Sequence, residues 1–138
     1  MGKNLEIELK DSKIFVEGKE CCGVSIKSKE INIDGKPEFN FIIKLGFRGY
    51  KVYHDDVLVG KGKGLILSYK SETLKPIKKS ELLALDLMDG NEITIFNENN
   101  SAIGVIKLDN GKLIVRFDSH YMVFGIIYLA YLYGIMNN

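Results

Sequence analysis

Apolar and polar residues alternate with a period of two along most of the chain, which then ends on a long run that has no such period. Leu5, Ile7 and Leu9 share one face of a strand with charged residues between them. Asp11-Ser12 turns the chain into Ile14, Phe15 and Val16, and Gly18 breaks it again ahead of Val24 and Ile26. Ile31 and Ile33 follow, and Asp34-Gly35 has the composition of a tight hairpin. Phe39, Phe41, Ile43 and Leu45 make the clearest alternating strand, and a turn at 46–49 leads into Tyr50, Val52 and Tyr53. His54, Asp55 and Asp56 read as the next turn, before an apolar stretch at 57–59 and glycines at 60, 62 and 64. Residues 65–69 form a further strand, and the segment around Thr73 and Pro76 reads as a polar connection.

Residues 78–88 fit a short helix capped by Ser80 or a strand with Leu83, Leu85 and Leu87 inward. The strand is preferred, because Asp89-Gly90 then turns tightly into a strand at 92–96. The chain turns at 97–100, runs back over 102–108, turns at Asp109-Asn110-Gly111 and ends its strands at 112–117. About ten strands at this spacing predict an antiparallel sandwich or barrel.

The terminal run, DSHYMVFGIIYLAYLYGIM, predicts a helix over 119–136 with Asp118 or Ser119 as its cap. From Tyr121 to Met136 it would be about 24 Å long, short of the roughly 30 Å of a hydrocarbon core. At 100° per residue Tyr121, Phe124, Tyr128 and Tyr131 share an arc, and Met122, Ile126, Leu129, Ala130 and Met136 cover much of the rest. A helix apolar all round belongs in a protein core or in lipid. Tyrosines of a membrane span gather at its two ends, whereas Tyr128 stands mid-length and its hydroxyl needs a partner that a sheet can supply. The run is therefore read as the stuffing of the β-body, with a C-terminal membrane anchor as the alternative. Gly125 and Gly134 permit close approach of packed neighbours.

Composition changes this picture little. A chain of 138 residues is one domain, 1–138, long enough for a real core. Net charge is +1, so no global field points to nucleic acid. The opening MGKNLEIELKD is charged and alternating, unlike a secretory signal. The two cysteines are neighbours, Cys21 and Cys22, and on a regular strand they point to opposite faces, which suits neither a metal pair nor an ordinary disulfide. They read as reduced thiols of a cytoplasmic protein.

Two stretches echo each other. Residues 53–60, YHDDVLVG, and 96–104, FNENNSAIG, each give an aromatic strand end, a polar turn, an aliphatic residue and a glycine. The reading is a repeated hairpin whose outgoing strand needs glycine where a neighbour crowds it. These hairpins, the final strand KLIVRF and the helix YMVFGIIYLAYLYGIM together resemble the tubby C-terminal domain and phospholipid-scramblase-like superfamily, as a small prokaryotic-type member. The resemblance implies an antiparallel β-barrel of about ten to twelve strands around a hydrophobic C-terminal helix, with one or two strands missing or very short. It also implies lipid recognition through basic surface residues, although no lysine–arginine lipid motif or calcium segment of those proteins is matched here.

Candidate chemistry is sparse. Between residues 44 and 79 there are nine Lys or Arg against Asp55, Asp56 and Glu72, and from 80 to 118 seven acids face three bases. Such a split favours an anionic lipid surface or a partner protein. Lys61, Lys63, Lys78 and Lys79 are the candidate headgroup ligands. The run Gly60-Lys61-Gly62-Lys63-Gly64 lacks the spacing and the ending of a phosphate-binding loop. His54 beside Asp55 and Asp56, and His120 at the helix start, lack a third ligand or a nucleophile. No metal, no cofactor and no catalytic residue is expected. The sequence thus predicts a non-enzymatic, cytoplasmic or membrane-associated binding module for an anionic lipid or a protein. Its alternatives are a tail-anchored protein and a small-molecule barrel with His54 and Asp56 at the rim.

Overall fold

Each strand pairs antiparallel with its neighbours in sequence, and the sheet closes when the first strand meets the last. The computed structural model describes residues 3–76, 87–88 and 90–137. In chain order the strands are β1 (Asn4–Lys10), β2 (Lys13–Val16), β3 (Lys19–Lys27), β4 (Glu30–Gly35), β5 (Phe41–Gly46) and β6 (Gly49–His54). They continue as β7 (Val57–Lys63), β8 (Ile66–Tyr69), β9 (Glu72–Pro76), β10 (Ile93–Phe96), β11 (Ala102–Asp109) and β12 (Lys112–Asp118). The closed twelve-stranded barrel is of the predicted class, and the small chain size is absorbed by four-residue strands at β2, β8 and β10.

Alternation works as the sequence suggests. Ile7 and Leu9, Phe41 and Ile43, and Tyr50 and Val52 are buried, while Glu8, Ile42 and Lys51 between them are more exposed. Several turns match too: Asp11-Ser12, Asp55-Asp56 and Asn110-Gly111 all have positive φ at both central residues, the twist that tight hairpins require. Asn97 Oδ1 accepts the amides of Asn99 and Ser101 and so ties the longer turn at 97–101.

Three expectations need correction. Asp34-Gly35 is not a turn; β4 runs through it to Gly35, and a short 3-10 helix, Pro37–Phe39, links it to β5. Gly35 is a packing residue: a Cβ there would lie 2.7 Å from that of Cys22. Phe39 consequently leaves the strand that was expected to hold it. The segment with Thr73 and Pro76 is strand β9, with Pro76 tolerated at its end. Within 78–88 only Leu87, buried, and Met88, exposed, are described, and both are helical rather than extended; the rest of that expectation lies outside the described residues.

The terminal segment begins as a 3-10 turn, Ser119–Tyr121, capped by the Asp118 carboxylate on the His120 amide, and continues as α1 (Met122–Met136). Ser119–Met136 has the length and composition to cross a membrane. Here α1 runs inside the barrel, burying Phe124, Ile126, Ile127, Tyr128, Leu129 and Leu132. Two glycines let it lie close against the strands: a Cβ at Gly125 would touch Ile7 and Val115, and one at Gly134 would collide with Ile31.

Tyr128, the mid-length tyrosine, is fully buried and donates its hydroxyl to the Leu65 carbonyl at 2.8 Å. Burial pushes its phenol well above the usual range, so it remains a donor at any ordinary pH. Replacing Tyr128 by Phe strips that carbonyl of its donor in a dry core. We expect Y128F to cost about 1–3 kcal/mol, read as a lower urea midpoint with an unchanged slope.

Candidate functional site

Register brings together lysines that sequence separates. Lys44 of β5 faces Lys51 of β6, and Lys51 faces Lys61 of β7. All three are exposed on the outer face of the barrel, so they form a row across adjacent strands. Directly opposed side chains have Cβ atoms about 4.5–5.5 Å apart, and like charges so placed are destabilising. Among the described residues none of the three makes an ion pair within 4.0 Å. Lys44 Nζ instead lies 4.9 Å from the centre of the Tyr53 ring.

The row borders an open hollow of about 490 Å³ lined by Lys44, Arg48, Lys51, Tyr53 and Lys61, with the β5–β6 loop at its lip. Gly46 pairs with Gly49, so Phe47 and Arg48 form a two-residue loop. Phe47 is fully solvent-exposed at its tip. A cationic hollow beside a projecting aromatic can hold an anionic group while burying an apolar side chain next to it.

The meander also sorts charge from end to end. Among the described residues the turns at the Phe47 end carry Lys10, Lys13, Lys27, Lys29, Arg48, Lys63 and Lys112, with Asp11, Glu30, Glu92 and Asp109 among them. Those at the other end carry Glu17, Glu20, Glu38, Asp55, Asp56, Glu72, Glu98 and Asp118, with Lys19, Lys36 and Lys70 among them. Among the described residues the turns thus have a polarity along the barrel axis, independent of the split along the sequence. The helix agrees with it: α1 starts at the acidic end and finishes at the basic one, so each partial charge of its dipole meets the opposite sign.

Of the four candidate lysines, Lys61 belongs to the row, and Lys63 is exposed two residues further along β7 on the same face but does not line the hollow. Lys78 and Lys79 lie outside the described residues. Sequence reasoning missed Lys44, Lys51, Arg48 and Phe47 as a group. A two-residue loop at 47–48 dictates that 44 faces 51, so half of the row was there to be found.

The histidines are engaged locally. His54 Nε2 is 2.9 Å from the Pro37 carbonyl, and its ring lies against Phe41. A depression of about 260 Å³ nearby is lined by Asp55, Asp56, Asp34 and Asn40 but not by His54. His120 Nε2 is 3.1 Å from Glu72 on the surface. Among the described residues no cluster has the composition of a metal site.

The two echoing hairpins share a geometry, and the structure adds a third. In β6–β7, Val52 faces Gly60 and Tyr53 faces Leu58, which leaves Val59 as an extra residue; in β10–β11, Ile95 faces Gly104 and Phe96 faces Ala102, which leaves Ile103. Both glycines are crowded as expected, Gly60 by the Ser68 carbonyl and Gly104 by the Arg116 carbonyl and Phe117. In β2–β3, Ile14 faces Cys22 and Phe15 faces Glu20, so Cys21 is the extra residue and Cys22 stands where the others have glycine. A bulge re-aims side chains that would otherwise alternate. The expectation that Cys21 and Cys22 point apart fails for this reason: their sulfurs are 3.0 Å apart.

No family model matches this chain, and neither a curated protein nor a solved structure shows significant similarity to it.

Proposed function

We propose that this protein is a peripheral membrane-binding barrel of the tubby- and scramblase-like kind, acting in the cytoplasm and docking anionic lipid headgroups in the Lys44–Lys51–Lys61 hollow. The observation that carries the reading is the lysine row. A strip of like charges is retained across three neighbouring strands at a cost in stability, and a hollow and an exposed Phe47 adjoin it. Near an anionic surface each lysine contributes about 1 kcal/mol, and insertion of Phe47 would add about 1.5–3 kcal/mol. The chemistry is binding only; no group in the hollow is placed to break a bond.

Cosedimentation with vesicles containing phosphatidylserine or phosphoinositide tests it. Changing Lys44, Lys51 and Lys61 together to Gln should weaken partition by about 3 kcal/mol, or about 150-fold. F47A should weaken it independently of salt, while the lysine term should fade as ionic strength rises. The triple variant should unfold at a urea concentration no lower than the parent, because it relieves repulsion. Equal vesicle binding by parent and triple variant would remove the proposal and turn attention to a protein partner for this face.

A further inference from the structure

We propose that Cys21 and Cys22 form an oxidant-responsive dithiol that closes to a vicinal disulfide, with hydroperoxides as the oxidising class. This inference stands apart from the lipid reading, since the cysteines lie in β3, outside the lysine hollow.

The geometry comes from the bulge. Adjacent residues on a regular strand hold their sulfurs on opposite faces, yet here the sulfurs are 3.0 Å apart. The equivalent sites differ in what covers them. Gly60 and Gly104 face Tyr69 and Phe117, whereas Cys22 faces Gly35, which sets no side chain over it. Cys21 is half-buried, so a small peroxide can reach it, while Cys22 is buried. Roles divide accordingly. The hydrogen bond with Cys22 lowers the Cys21 pKa, with help from Lys36 against burial and Glu38. The same hydrogen bond, with burial, pushes Cys22 up and keeps it protonated.

The steps balance. The Cys21 thiolate attacks the terminal oxygen of the hydroperoxide, the O–O bond breaks, and the alkoxide or hydroxide leaves with a proton from solvent, giving a sulfenic acid at Cys21. The Cys22 sulfur then attacks the Cys21 sulfur, the S–O bond breaks, and the oxygen departs as water with the Cys22 proton. Two thiols lose two electrons and the peroxide gains them. Neighbouring Cα atoms are about 3.8 Å apart, below the usual 4.4–6.8 Å range for a disulfide. The ring is therefore strained and easily reopened by thiols, which suits a switch better than a staple.

Hydrogen peroxide on the intact folded protein, followed by alkylation under denaturing conditions and mass spectrometry, decides the matter. The expected product is a monomer lighter by about 2 Da, the two thiol hydrogens, unalkylated at both cysteines and restored by dithiothreitol. Cys22→Ala should instead leave a dimedone-reactive sulfenic acid on Cys21. Complete alkylation of both thiols after peroxide would overturn the proposal, as would accumulation of sulfinic acid at Cys21 or a bond formed only between chains. The measurement on the unmutated protein is decisive even where the variant fails to fold.

Discussion

A chain truncated after Asp118 is expected to collapse rather than to yield a soluble barrel. Phe124, Ile126, Ile127, Tyr128, Leu129 and Leu132 are buried in the barrel by α1, and burial of each such side chain contributes about 1.5–3 kcal/mol. The six together supply about 9–18 kcal/mol, which equals or exceeds the whole net stability of an ordinary domain, about 5–15 kcal/mol. The loss falls on the strands as well. Ile7, Ile31, Val115 and Phe117 point at the helix and would line a water-filled tube. Twelve short strands cannot close over such a void without refilling it. The truncated chain should therefore lack cooperative urea unfolding and should bind ANS or aggregate. A monomeric product with dispersed amide resonances would show that the helix is dispensable to the barrel, and would restore the tail-anchor reading.

How much of this was legible before the structure depended on which rule a segment obeyed. Period-two alternation placed the inward faces of β1, β5 and β6, and an all-round apolar run with a tyrosine at mid-length placed α1 inside. Both follow from burial, which acts on every residue of an element. The bulges were hidden, because one inserted residue leaves composition and alternation almost untouched while shifting register. From the turn at 55–56 alone Lys51 would face Gly60; the extra Val59 makes it face Lys61 and completes the lysine row. The same device gathered the two cysteine sulfurs, and its signal was a third copy of the echo, 15–22, in which Cys21-Cys22 replaces an aliphatic residue and glycine. Asp34-Gly35 misled because a hairpin dipeptide and a crowded packing glycine look alike in sequence.

That hidden geometry gives the second large effect, at Gly104. Substitution to alanine is expected to cost about 2–6 kcal/mol: about 1–3 kcal/mol for a φ of +156°, which side chains rarely adopt, and about 1–3 kcal/mol for overpacking. The added Cβ would run into the Arg116 carbonyl oxygen and the Phe117 ring, and would lie 2.8 Å from the Phe117 Cα. Two of these obstacles are backbone atoms of β12, which is held between β1 and β11, so they cannot swing aside as a side-chain tip could. Gly111 separates conformation from crowding. It has a φ of +81° with nothing within 4 Å of its would-be Cβ, so Gly111→Ala should lose only the backbone term, about 1–2 kcal/mol. Gly60 separates them the other way: its φ is not positive, but a Cβ there would lie 2.6 Å from the Ser68 carbonyl oxygen. In urea titrations Gly104→Ala should therefore fall furthest, below both controls. If it matched Gly111→Ala, the contact with β12 would carry no energy, and Gly104 would be there for its φ alone.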